Sequence, residues 1–135
     1  MGKYKNLQTD VFSIFGSDTW KAENIKTFPS NFNPSHQGNE FLRVTILSGK
    51  PGINIHSVSG IFVIDIFTTA GVGPDRSITI ADKLDQYLVG KTIQSFSGAI
   101  TQFSNSTFET RGLDSDNPSL YRSIYTIPFS YFEVR

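Results

Sequence analysis

A few residues have types and spacings that bear on chemistry: His36 and His56, the acidic run Asp114, Asp116 and Asn117, the pair Gly71 and Gly73, and Asp65 within an apolar run. Each histidine sits in a loop-like stretch with no second histidine at ligand spacing and no Glu-x-x-His, so both read as solvated or capping residues rather than metal ligands. Asp114-Ser115-Asp116-Asn117 begins like a calcium loop. Pro118 follows, however, and the glycine and glutamate that such a loop needs further on are missing, so an Asx-type turn is the reading. Gly71-Val72-Gly73 stands between a strand and a helix, where a phosphate loop would stand. It has no third glycine at the right spacing and no Gly-Lys-Ser/Thr ending, and it reads as turn chemistry.

Nucleophilic chemistry has little to build on. Gly-x-Ser-x-Gly is missing, two loop histidines give a Ser-His-Asp triad scant material, and the chain has no cysteine. Asp65 could act as a base of raised pKa, but an ion pair with Arg43 on a neighbouring strand is the simpler expectation. The chain therefore reads as a non-enzyme, with no metal and no cofactor. Twelve basic and twelve acidic residues cancel, so no bulk charge attracts nucleic acid or membrane. Lys3, Lys5, Lys21 and Lys26 make the beginning mildly basic without forming an RNA-binding motif. Charged residues are 18% of the chain, below the ~25% of an average soluble domain. With 12 phenylalanines and an uncharged stretch from Thr92 to Phe108, that depletion points to surfaces covered by partners.

The elements that must position these residues follow from periodicity. At 135 residues the chain fits one domain, 1–135, able to bury roughly two thirds of its unfolded surface. The first residues lack the apolar stretch of a signal peptide, and no apolar run is long enough for a membrane span, so the expectation is a soluble, intracellular domain. Lys3–Phe15 predicts a helix stopped by Gly16, with Tyr4, Leu7, Val11, Ile14 and Phe15 on one face. Ser17–Asn39, which holds Trp20, reads as a long surface connection with an extended piece near Ile25–Phe28. Phe41–Leu47 alternates as a half-buried strand, Gly49-Lys50-Pro51-Gly52 reads as a turn, and Ser57–Thr68 as a strand covered on both faces. A second helix begins at Pro74 and Asp75 and ends at Gly90, with Ile80, Ala81, Leu84, Tyr87 and Leu88 inward and Asp82, Lys83, Asp85 and Gln86 outward. Short strands are expected near Thr92–Phe96, Ala99–Phe103 and Thr107–Leu113. Leu120–Val134 is the longest β-like run, and Pro128 implies a local edge or bulge there. The fold expected is α+β, a mainly antiparallel sheet with an N-terminal helix and a second helix packed on it.

The closing segment Asn117–Phe132 runs Asn-Pro-Ser-Leu-Tyr-Arg-Ser-Ile-Tyr-Thr-Ile-Pro-Phe-Ser-Tyr-Phe. It resembles the last strand of the tail terminator proteins of long-tailed bacteriophages, which reads Arg, alternating apolar residues, then Pro-Phe-x-Tyr. Ser57–Phe67, Gly73–Arg76 and Ile80–Asp85 are similar to the strand, glycine turn and Ala-x-x-Leu/Ile helix of that family. The resemblance spans most of the chain and leaves Ser17–Asn39 unmatched. It implies a structural role: a ring, hexameric in that family, that caps the head-proximal end of the tail tube, halts its polymerisation and receives head-completion proteins.

Size is compatible with that role. A domain of this length has a diameter of roughly 35 Å, and six such bodies in a circle leave a hole about one body wide, enough for DNA to pass without specific binding. Head-to-tail closure needs two unlike patches on each subunit. Candidate contacts with a neighbour or the tube are Lys50 and Asn54 in the Gly49–Ile55 hairpin, and Gly71, Gly73, Asp75 and Arg76 in the glycine turn. Asp75 and Arg76 either pair across subunits or cap the helix. Asp114, Asp116 and Asn117 form a candidate lumen or inter-ring loop. Two other classes stay open: a tail tube or other neck subunit, and a small α+β ligand-binding module with Trp20 and phenylalanines lining a pocket.

Overall fold

In a computed structural model the described residues are 3–23, 25, 27–29, 40–51, 57–69, 75–94, 99–113 and 120–132. They form helices α1 (Lys3–Phe15), α2 (Asp18–Ala22) and α3 (Asp75–Leu88), and strands β1 (Thr27–Pro29), β2 (Phe41–Pro51), β3 (Val58–Thr69), β4 (Thr92–Gln94), β5 (Ile100–Phe103), β6 (Thr107–Leu113) and β7 (Leu120–Phe132). One seven-stranded sheet runs β1-β2-β3-β7-β5-β4, and β6 also pairs with β7.

The expected mainly antiparallel sheet with two helices is corrected. β1 lies parallel to β2, with Thr27 opposite Leu42 and Pro29 opposite Val44, so the sheet is mixed. Roughly a dozen residues separate the two strands, about the length that a return to the same end of a sheet requires. A third helix, α2, occupies what reads as loop. Ser17 is its N-cap, accepting from the Trp20 amide at 3.3 Å, which satisfies a donor that the helix start would otherwise orphan. α2 hides Trp20, which is 1% exposed. Its ring meets Phe15 and Tyr87 edge-on, and its Nε1 donates to Thr27 Oγ1 at 3.1 Å.

Hydrophobic periodicity places the layers. Leu7, Val11 and Phe15 of α1, Trp20 of α2, and Ile80, Ala81, Leu84 and Leu88 of α3 share one buried cluster with Leu42, Val44, Phe62, Ile64, Ile66, Tyr125, Ile127 and Phe129. All three helices thus contribute to one face of the sheet. Gly90 ends the α3 region with φ +70, a backbone that an L side chain resists.

β2, β3 and β7 are the spine. β3 and β7 are matched from Val58–Tyr131 to Thr69–Leu120. The turn expected at Gly49–Gly52 differs: β2 continues to Pro51 through a register shift between Leu47 and Lys50. β1 covers only Leu42–Val44, so Pro51 lies beyond its reach and deprives no β1 ladder of a donor. A second shift lies between Thr110 and Gly112, where Gly112 has φ +92, the bulge conformation glycine permits. Pro128 sits in a central strand, at the point where β7 changes partner. β5 ends opposite Phe129 and β6 begins opposite Thr126. The Pro128 carbonyl accepts from the Ser104 amide at 3.0 Å, and its imino nitrogen, on the same side, faces this gap in the ladder. Among the described residues no helix is long and apolar enough to cross a membrane.

Candidate functional site

Strand alternation separates two faces. Even positions of β3 enter the helix-covered core. The odd positions Ile61, Val63, Asp65 and Phe67 face the other way, beside Phe41, Arg43, Thr45 and Leu47 of β2 and Arg122, Ile124, Thr126 and Pro128 of β7. On this outer face Phe41, Phe67 and Leu120 form a separate buried cluster, with Phe28 against it. Phe41 and Phe67 stack at 4.6 Å between centroids.

Next to that cluster stands Asp65, whose side chain is 7% exposed. Arg122 donates to its Oδ1 from Nε at 3.1 Å and from Nη2 at 2.8 Å. Arg43 Nε lies 3.5 Å from Oδ2, and the Arg43 guanidinium sits 5.2 Å from the Phe67 ring centroid. The pairing of Asp65 with Arg43 is therefore present, with Arg122 as the closer partner. One buried carboxylate serves two arginines that are each about a third exposed. The signal for Arg122 was its parity: Tyr121, Ser123 and Tyr125 point to the core, so Arg122 must share the face of Asp65.

α3 is tied down at three heights. In its first turn Arg76 donates to both oxygens of Glu40, from Nε at 3.1 and 3.0 Å and from Nη2 at 2.8 Å. These bonds hold the Arg76 guanidinium above its ordinary pKa. Lys83 pairs with Glu23. Asp85 Oδ1 accepts from Tyr125 OH and from Ser106 Oγ, both at 2.6 Å. Burial first, and then the bond to Asp85, push the Tyr125 phenol well above its usual range. Lys83 and Asp85 thus do more than face water. Asp82 and Gln86 are exposed.

Of the residues singled out from sequence, Arg76 is engaged with Glu40 of its own chain and Asp75 is exposed at the start of α3. Lys50 lies opposite Ser59 in the β2–β3 ladder. Gly71, Gly73, Asn54, Asp114, Asp116 and Asn117, together with His36 and His56, lie outside the described residues. Among the described residues no three His, Asp or Glu side chains gather in a way that would hold a metal ion. Trp20 belongs to the core.

No family model matches the chain, and no curated protein matches it. A solved structure whose name describes no function superposes with a TM-score of 0.59 at 14% identity, covering 90% of this chain and 86% of that one. That likeness is one of fold.

Proposed function

We propose that this protein is a structural component of a bacteriophage tail, a terminator that forms a ring, hexameric by resemblance, on the head-proximal end of the tail tube. One observation carries the reading. Three of the segments with the family's pattern, separated along the chain, meet in a single unit: β3 and β7 lie side by side along their whole length, and the buried face of α3 packs on them. Adjacent packing of these segments is what a shared fold requires, and scattered placement would have removed the argument. A rigid three-element unit is also a suitable carrier for the contacts of a ring.

In this role the protein halts tube growth and presents a surface to a head-completion or connector protein. DNA passes through the lumen without being held, in keeping with a formal net charge of zero. The protein works without catalysis or cofactor, assembles in the host cytoplasm, and resides in the neck region of the virion tail. The test is addition of the purified protein to tail tubes polymerising from their own subunits. The expected result is tubes of arrested length bearing extra density at one end. Tubes that grow to the same length with and without the protein would overturn the reading.

A further inference from the structure

β6 has one open edge. It pairs with β7 along one side, and among the described residues no strand and no backbone hydrogen bond from another segment meets the other side. Thr107, Glu109, Thr110 and Arg111 are exposed. They include positions on both faces of the strand, since Glu109 lies opposite Ile124 and Thr110 opposite the core residue Ser123. The outer strands β1 and β4 offer three residues each, whereas β6 offers seven. An edge of that length is a template for a further strand.

The charges on the edge say which strand fits it. Arg111 Nη2 lies 2.7 Å from Glu109 Oε1, so both side chains stand on one face, the outer face to which Glu109 belongs. Arg111 is the extra residue of the shift between Thr110 and Gly112, and a bulge re-aims a side chain in this way. Glu109 and Arg111 remain 59% and 56% exposed, so their mutual pair leaves each open to a second partner. Charges of one sign would defend the edge against another copy of itself. One of each sign, two residues apart, does the reverse. In an antiparallel pairing of two β6 strands, centring on Thr110 sets Glu109 opposite Arg111 of the second copy and Arg111 opposite its Glu109. Centring on Glu109 or on Arg111 sets like charges against each other, which is destabilising. A slip of one residue opposes side chains of different faces. The Thr110 register alone among these matches the charges.

We propose that β6 pairs with β6 of a second copy of this chain, antiparallel and centred on Thr110, joining the two sheets through their edges. Backbone hydrogen bonds supply the contact, and two cross-strand pairs of Glu109 with Arg111 fix its register. Directly opposed Cβ atoms in such a pairing lie about 4.5–5.5 Å apart, within reach of these ion pairs. The pairs are exposed, so the contact weakens as salt rises. It is isologous and closes at two chains. It therefore goes beyond the ring reading and is separate from the head-to-tail contact that a ring needs.

The test uses the full chain, which has no cysteine. Thr110→Cys and Thr107→Cys are made as separate variants, checked for native circular dichroism, and treated with a short bismaleimide at high protein concentration. Thr110 lies on the two-fold axis, whereas two copies of Thr107 lie about 20 Å apart in this register. Thr110→Cys is expected to give about tenfold more covalent dimer than Thr107→Cys, because only the residue on the axis meets itself. In the Thr110→Cys chain, Glu109→Arg alone and Arg111→Glu alone are each expected to lower that yield several-fold. An equimolar mixture of those two chains is expected to restore it, because the mixed edges again oppose unlike charges. Equal yields from the two cysteine positions, single reversals that leave the yield unchanged, or a mixture no better than its components overturns the proposal. The two readings fail separately. Arrested tube growth without this crosslink refutes the strand pairing and spares the ring, whereas the crosslink in a protein that leaves tube growth unaffected refutes the ring and spares the pairing.

Discussion

Replacing Asp65 with asparagine removes one negative charge at nearly constant shape and leaves Arg43 and Arg122 facing each other. Breaking a buried pair by removing one partner costs about 3–5 kcal/mol, and a hydrogen bond to a charged group contributes about 1.5–3 kcal/mol. Asp65 accepts two such bonds from Arg122 and lies at 3.5 Å from Arg43. The arginine side chains are 36% and 33% exposed, so water can take up part of what the carboxylate gave them, and the expected loss falls to about 2–3 kcal/mol. With a urea m-value of roughly 2 kcal/mol/M, the unfolding midpoint should drop by about 1–1.5 M. Urea titration followed by circular dichroism and by the fluorescence of Trp20 checks this, and coincident curves establish two-state behaviour. A double-mutant cycle assigns the partners. Coupling of Asp65→Asn with Arg122→Gln should exceed that with Arg43→Gln, since the Arg122 bonds are shorter. A midpoint shift below about 0.25 M, or stronger coupling to Arg43, would refute the reasoning.

Tyr125 carries a pH dependence of known sign. Its folded pKa is raised above the ordinary value of about 10, so its stabilising share is complete below pH ~10 and is lost as pH rises beyond it. Stability measured against pH should fall on the alkaline side, and Tyr125→Phe should flatten that part of the slope. An unchanged slope would remove the Asp85–Tyr125 bond from the account. Trp20 should emit at shorter wavelength than indole in water and resist acrylamide quenching. Trp20→Phe, which loses the bond to Thr27 and leaves a void, should destabilise by about 2 kcal/mol in urea titration.

How much of this was legible depends on whether a feature is local. α1 and α3 were readable because Leu7, Val11, Phe15 and Ile80, Leu84, Leu88 recur at helical spacing, and because Gly16 and Gly90 mark the stops. β7 was readable from alternation over a dozen residues, and β3 from a run that is apolar on both sides around its middle. α2 was hidden because five residues are too few to show a period. Its signal was the cap: Ser17 three residues before a buried Trp20. The parallel pairing of β1 was hidden because three residues carry no orientation, and the direction of a strand depends on the chain between it and its partner. The continuation of β2 through Gly49 was missed because glycine, lysine and proline suit a bulge at an unpaired edge as well as a turn.

The outer face was half legible. Asp65 stood out as a charge among apolar residues, and its pairing with Arg43 followed from register. Asp85 was placed toward water by helical phase, yet its carboxylate accepts from Tyr125 OH and Ser106 Oγ.

What the chain does at high concentration and on a template bears most directly on ring formation. Mass should be measured by light scattering across a wide concentration range, with negative-stain images of the same samples, alone and with tail tubes added. The prediction is closed rings with a central hole and a mass near six chains, free in solution or seated on one end of the tubes. A monomer at every concentration that also leaves the tube ends bare would contradict the central claim.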